Sequence, residues 1–152
     1  MQAMMKMFLG AATFALIGCN EDASTTAPQP TGPTESSLVA TWSMSQAALG
    51  NTVLITMEVA VDHNMVVTVK SPTPTPDGGS VLVEARRENM IWSLKDGVMT
   101  SVKTTCMYAD PADGMLKSGD CIAPTTESSP VSVNGKSLTV LKGDLTYVFT
   151  KD

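Results

Sequence analysis

Three cysteines, a single histidine and scattered carboxylates are the residues of this 152-residue chain that could carry chemistry. Cys106 and Cys121 lack the Cys-x-x-Cys spacing and have no evident helix to activate a thiolate, so they read as a structural disulfide rather than a redox pair. Closing a loop of about 15 residues contributes ~3 kcal/mol by restricting the unfolded chain, and the bridge would pin the turn-rich excursion from Met107 to Asp120. His63 sits in Asp62-His63-Asn64 between two apolar runs, and these residue types suit a turn. Any histidine-based triad or metal site would have to use that one imidazole. Asp110, Asp113, Gly114 and Asp120 do not follow the alternating spacing of a twelve-residue calcium loop and read as a plain turn. Arg86-Arg87-Glu88 reads as a solvated turn between strands. No nucleophile, base and orienting group can be assembled from this set. The chain is therefore expected not to be an enzyme and to need no cofactor and no metal.

Cys19 stands apart from the other two. Before it, Met1 to Lys6 carry one positive charge and Phe8 to Ile17 form an apolar stretch, which is the layout of a secretory leader. As a helix, about ten residues would span about 15 Å, half the hydrocarbon thickness of a bilayer, too little for a stable span. Leu16-Ile17-Gly18-Cys19 then resembles the bacterial lipobox. That resemblance implies cleavage after Gly18, a diacylglycerol on the Cys19 thiol and fatty acylation, palmitate among the chains, of the new amino group. Each buried methylene contributes about 0.8 kcal/mol, so several acyl chains on one residue suffice for membrane attachment. Asn20, in place of the aspartate that favours inner-membrane retention in enteric bacteria, implies the outer membrane, on its periplasmic or its surface face. The competing reading is an ordinary leader cut further on, with an incidental cysteine.

Residues 1–18 are thus assigned to a signal peptide and 19–37 to the lipidated cysteine and a tether, whose Ala23 to Ser37 part is too polar and proline-rich to bury a core. Residues 38–152 remain for one domain. Ten Lys+Arg against fifteen Asp+Glu give a net charge of -5, and the basic residues are dispersed, which argues against a nucleic-acid partner.

From Leu38 onward apolar residues alternate with period two and Gly, Asn, Asp and Pro punctuate them, so the domain is all-β. Val53, Ile55, Met57, Val59 and Val61 share one face. Met65, Val67 and Val69 continue it after the turn at Asp62 to Asn64. The run from Ser71 to Gly79 breaks the pattern, Val81 to Val83 and Met90 to Leu94 resume it, and Lys95-Asp96-Gly97 turns into Val98 to Thr105. Asn134-Gly135 and Lys142-Gly143-Asp144 are hairpin turns between the last strands. Counting from Leu38 to Ser45, about eight strands result. They suit a small antiparallel up-and-down barrel, which leaves no exposed edge, or alternatively a β-sandwich.

Leu38-Val39-Ala40-Thr41-Trp42 resembles the opening strand of bacterial lipocalin-like lipoproteins, whose usual pattern has glycine where Ala40 stands. Leu138-Thr139-Val140 with Leu145 to Phe149 looks like the closing hairpin of that family. The resemblance implies a lipocalin-like barrel with Trp42 as a structural plug across its bottom. Methionines spread over the strands would fill a pliable core or line an apolar cavity. A small apolar ligand would then meet Met57, Val59, Met65, Val67, Trp92 and Tyr147. The alternative is a cell-envelope interaction or inhibitor module using the 106–121 loop, favoured if Met107, Tyr108, Met115 and Leu116 are exposed.

Overall fold

The computed structural model describes residues 32–48 and 51–152. Cys19, the leader and the tether as far as residue 31 lie outside the described residues.

The described chain begins with a single helical turn, α1 (Glu35–Leu38), and continues as nine strands: β1 (Ala40–Ala48), β2 (Asn51–Val59), β3 (Asn64–Pro74), β4 (Ser80–Lys95), β5 (Val98–Ala109), β6 (Leu116–Gly119), β7 (Thr126–Asn134), β8 (Ser137–Lys142) and β9 (Leu145–Lys151). Eight of them close an antiparallel barrel, and β6 is added to the outer half of β5. β4 and β5 pair directly, and the last seam joins β1 to β9 through Trp42 opposite Lys151 and Ser43 opposite Thr150. A bond from the Asp152 amide to the Thr41 carbonyl at 3.1 Å extends that seam.

Each turn follows from its residues. At Asp62-His63-Asn64 the Asp62 carboxylate accepts from the Asn64 amide at 3.1 Å and His63 takes φ 64°, a left-handed conformation. Asp96 and Gly97 both have positive φ (50° and 75°), which matches the right-handed twist of the strands they join.

Alternation fails at three places, each with a physical cause. The proline run does not interrupt the sheet: Ser71 to Pro74 stay paired with Val83 to Ser80. Pro72 and Pro74 are two apart, so their missing donors point the same way, toward the edge that β2 no longer covers. Arg86-Arg87-Glu88 is not a turn; it lies mid-strand in β4, which runs unbroken through the two segments that hydropathy separates. Val61 is past the end of β2 and is 82% exposed rather than inward.

Two extra residues reset which side chains face inward. Val69 pairs with Arg86 but Lys70 with Glu84, so Ala85 is bulged; Asn89 pairs with Thr105 but Met90 with Lys103, so Thr104 is bulged. The Thr104 hydroxyl donates to the Asn89 carbonyl at 3.0 Å, which fixes the second bulge. Met99, Ser101 and Lys103 therefore point inward along β5, and beyond the bulge Cys106 does as well.

The strand ends sort the barrel into two ends. At the closed end Leu38, Trp42, Trp92, Leu138 and Val59 pack into an apolar core. Leu38 is the last residue of α1 rather than the first of a strand, and its carbonyl accepts from the Trp42 indole Nε1 at 2.8 Å. Thr34 caps that helical turn, with its hydroxyl accepting from the Ser37 amide at 3.3 Å. The opposite end, the mouth, is formed by the β3–β4, β5–β6 and β8–β9 connections and the segment leading into β7.

Candidate functional site

A cavity of about 320 Å³ occupies the barrel interior on the mouth side of that core. Its deep wall is apolar, and five methionines contribute to it: Met44, Met57, Met65, Met90 and Met99. Dispersed in sequence, they converge because each sits at an inward position on a different one of the strands β1 to β5. Thioether side chains have three rotatable bonds, so such a wall can adapt to a ligand's shape.

Of the residues expected to meet a ligand, Met57, Met65, Val67 and Tyr147 line this cavity. Val59 and Trp92 do not; both are buried in the closed end. Trp92 donates from its indole Nε1 to the Ala60 carbonyl at 3.1 Å and its ring lies 5.3 Å from that of His63. Trp42 is fully buried below the cavity, with the Lys151 ammonium 5.8 Å from its ring.

The mouth side of the cavity is charged, which the alternation of the sequence concealed. Glu88, only 4% exposed, accepts from the Arg86 guanidinium and lies 3.3 Å from the Lys103 ammonium. Lys103 is itself buried; it donates to the Ile122 carbonyl at 3.1 Å and lies 3.9 Å from Glu127. Glu127 in turn pairs with the half-exposed Lys142 at 2.8 Å. The network thus joins three cations to two carboxylates across β4, β5, β7 and β8. Each carboxylate faces two cations. The donors are in surplus: Arg86 Nε is buried with no hydrogen-bond partner among the described residues. Leaving such a donor unsatisfied costs ~1–3 kcal/mol. On its other side the Arg86 guanidinium lies 6.0 Å from the centre of the Tyr108 ring.

Cys106 and Cys121 are joined by a disulfide, with their Cα atoms 5.2 Å apart. Because Cys106 faces inward beside Glu88, the bridge draws the segment after β6 across the mouth end of β5. Tyr108 holds that strap: its hydroxyl donates to the Asp120 carbonyl at 3.2 Å and accepts from the Ile122 amide at 3.3 Å. The strap also supplies the carbonyl that meets Lys103.

The expected interaction loop is more ordered than its composition suggests, since it contains β6. Of the four residues whose exposure would mark a docking loop, Met115 is 66% exposed while Met107, Tyr108 and Leu116 are half-buried. At its tip Lys117 pairs with Asp110 at 2.5 Å and with Asp113 at 3.0 Å. Lys117 holds the Asp110 carboxyl below its ordinary value of 3.8; for Asp113 the Met115 amide does most of this and Lys117 adds to it. The two carboxylates raise Lys117 above 10.5.

No known family model matches the sequence, and no characterised protein matches it either.

Proposed function

We propose that this chain is a lipid-anchored lipoprotein of the cell envelope, carried on the outer membrane, whose lipocalin-like barrel binds a small, largely apolar ligand. The observation that carries the binding reading is the methionine-walled cavity of about 320 Å³ inside a closed barrel. That volume lies at the small end of ligand pockets, which run from about 300 to 1,000 Å³. Burying an apolar ligand there draws on water exclusion, about 25 cal/mol for each Å² of apolar surface removed. Nothing at the site assembles a nucleophile with a base, and the reading involves no catalysis.

The anchoring half of the proposal rests on Leu16-Ile17-Gly18-Cys19 following an apolar leader. Native mass spectrometry of the chain purified from its own membranes tests both halves. The expected result is a mature product starting at Cys19, with acyl mass on that residue and a second, non-covalent adduct of small-molecule size. Cys19→Ala should move the protein from membranes to the soluble fraction. A bare mass argues against carriage, and membrane attachment that survives Cys19→Ala removes the anchor.

A second reading, docking of an envelope protein on the 106–121 loop, is favoured by the exposure of Met115 and of Ile122 (66% and 60%) on either side of the bridge. Single exposed apolar side chains are ordinary on protein surfaces, so the cavity is the stronger observation.

A further inference from the structure

From the charge layout of the cavity we infer that its ligand is a short amphiphile with a single anionic head, such as a medium-chain carboxylate, bound head-to-mouth with Arg86 as the head-group donor. The inference rests on the carrier reading and specifies its ligand.

Three observations carry it. First, the network holds one more cation than it holds carboxylates, although the chain as a whole carries a net charge of -5. The positive surplus is therefore local to the cavity. Second, the acceptors are engaged and a donor is not. Glu88 faces Arg86 and Lys103, and Glu127 faces Lys103 and Lys142, whereas Arg86 Nε is buried without a partner. A cationic head would compete with two protein cations for each carboxylate; an anionic head would meet the Arg86 side chain, which lines the cavity and is about a third exposed. Guanidinium and carboxylate also match in geometry, which strengthens that contact over a point charge.

Third, polarity is graded along the barrel axis. Met65 and Met99 lie near the closed-end turns of β3 and β5, and Met90 is nearer the closed end of β4 than mid-strand Arg86, while Lys142 ends β8 at the mouth. A tail can reach only the apolar end and a head only the charged one. At roughly 30 Å³ for each water-sized group, the cavity takes about ten non-hydrogen atoms. That length fits a tail of about eight to ten carbons and is too short for a sixteen-carbon chain held entirely inside.

Calorimetric titration of the full chain carrying Cys19→Ala, with decanoate, 1-decanol and decylammonium at low salt and neutral pH, separates the possibilities. Decanoate should bind about tenfold or more tighter than decanol, as expected for a charge-assisted hydrogen bond in a partly dry site. Decylammonium should bind weakest. Arg86→Gln should bring decanoate down to the level of decanol while leaving decanol itself within about twofold. Because Arg86 touches the buried Glu88, Lys142→Gln supplies a second check at a half-exposed residue that pairs with Glu127 instead: about a threefold loss for decanoate alone. Hexadecanoate should bind less tightly than decanoate. If decanol equals decanoate, or decylammonium binds best, the anionic head is wrong and carriage survives. Affinity that keeps rising to hexadecanoate overturns the short tail. If none of the probes binds, the carrier reading fails together with this inference.

Discussion

The two ends of the barrel solve opposite problems with the same strands. At the closed end, Trp42, Leu38, Trp92 and Leu138 are packed without polar remainder, and both indole donors meet backbone carbonyls. At the mouth, the same inward positions hold Arg86, Glu88, Lys103 and Glu127, one donor among them unmatched, beside a cavity of about 320 Å³. One end is completed by its own side chains and serves stability. The other has spare volume and a donor without a partner, and the proposed ligand binding rests on that difference.

Trp42→Ala removes a fully buried indole from the closed end, and the expected loss is about 3–5 kcal/mol in denaturant unfolding. Trp42→Phe, which mainly deletes the bond to the Leu38 carbonyl, should cost about 1 kcal/mol. A loss for Trp42→Ala below about 1 kcal/mol would mean that the closed end is not the stabilising core.

Slightly smaller effects belong to the mouth. Glu88→Ala leaves Lys103 buried beside Arg86 without its nearer carboxylate, at an expected cost of about 3 kcal/mol. Adding Lys103→Met to Glu88→Ala should recover part of that loss, since the cost lies in an uncompensated charge rather than in a missing contact. No recovery would show that Glu88 acts by packing alone.

Reduction of Cys106–Cys121, or Cys121→Ala, should lower stability by about 2–3 kcal/mol. The sharper readout is where amide exchange accelerates. Protection should fall around Met107 to Ile122 and persist at Trp42 and Leu138. Uniform loss would mean that the two ends do not unfold separately.

The smallest effect concerns the β5–β6 tip. Asp110 and Asp113 are held below 3.8, so their contribution is present above that value and disappears as pH falls through their lowered pKa values. Lys117 is held above 10.5, so its contribution is present below that value and is lost as pH rises through its raised pKa. The tip should be tied throughout the interval between. The Met115 amide resonance, whose proton bonds to Asp113 at 2.9 Å, should titrate with a midpoint below 3.8, and Lys117→Ala should move that midpoint upward.

Much of this architecture was legible in the sequence, because half-buried strands and tight turns are local events. Val53 to Val59 and Met65 to Val69 announce their inward faces by period two, and Asn134-Gly135 and Lys95-Asp96-Gly97 announce turns by their tolerance of positive φ. The Cys106–Cys121 bridge followed from two cysteines whose spacing lacks the Cys-x-x-Cys of a redox pair. The charged half of the cavity did not. A buried Glu88 preceded by two arginines looks, to hydropathy, like a solvated turn, and only the long-range approach of Lys103 from the neighbouring strand makes it an interior group. The bulges at Ala85 and Thr104 change the inward register without any glycine to mark them. Likewise, the methionines became a wall only when the strands closed. Charge inside strands and slips of register are set by tertiary pairing, so sequence periodicity cannot display them.

The most direct test of a ligand-binding mouth is a titration of the chain, methyl-labelled at methionine, with decanoate under observation by NMR. The methyl resonances of Met44, Met57, Met65, Met90 and Met99 should shift together and saturate while exposed Met115 stays in place. Shifts confined to Met115, or none at saturating ligand, would contradict ligand binding there.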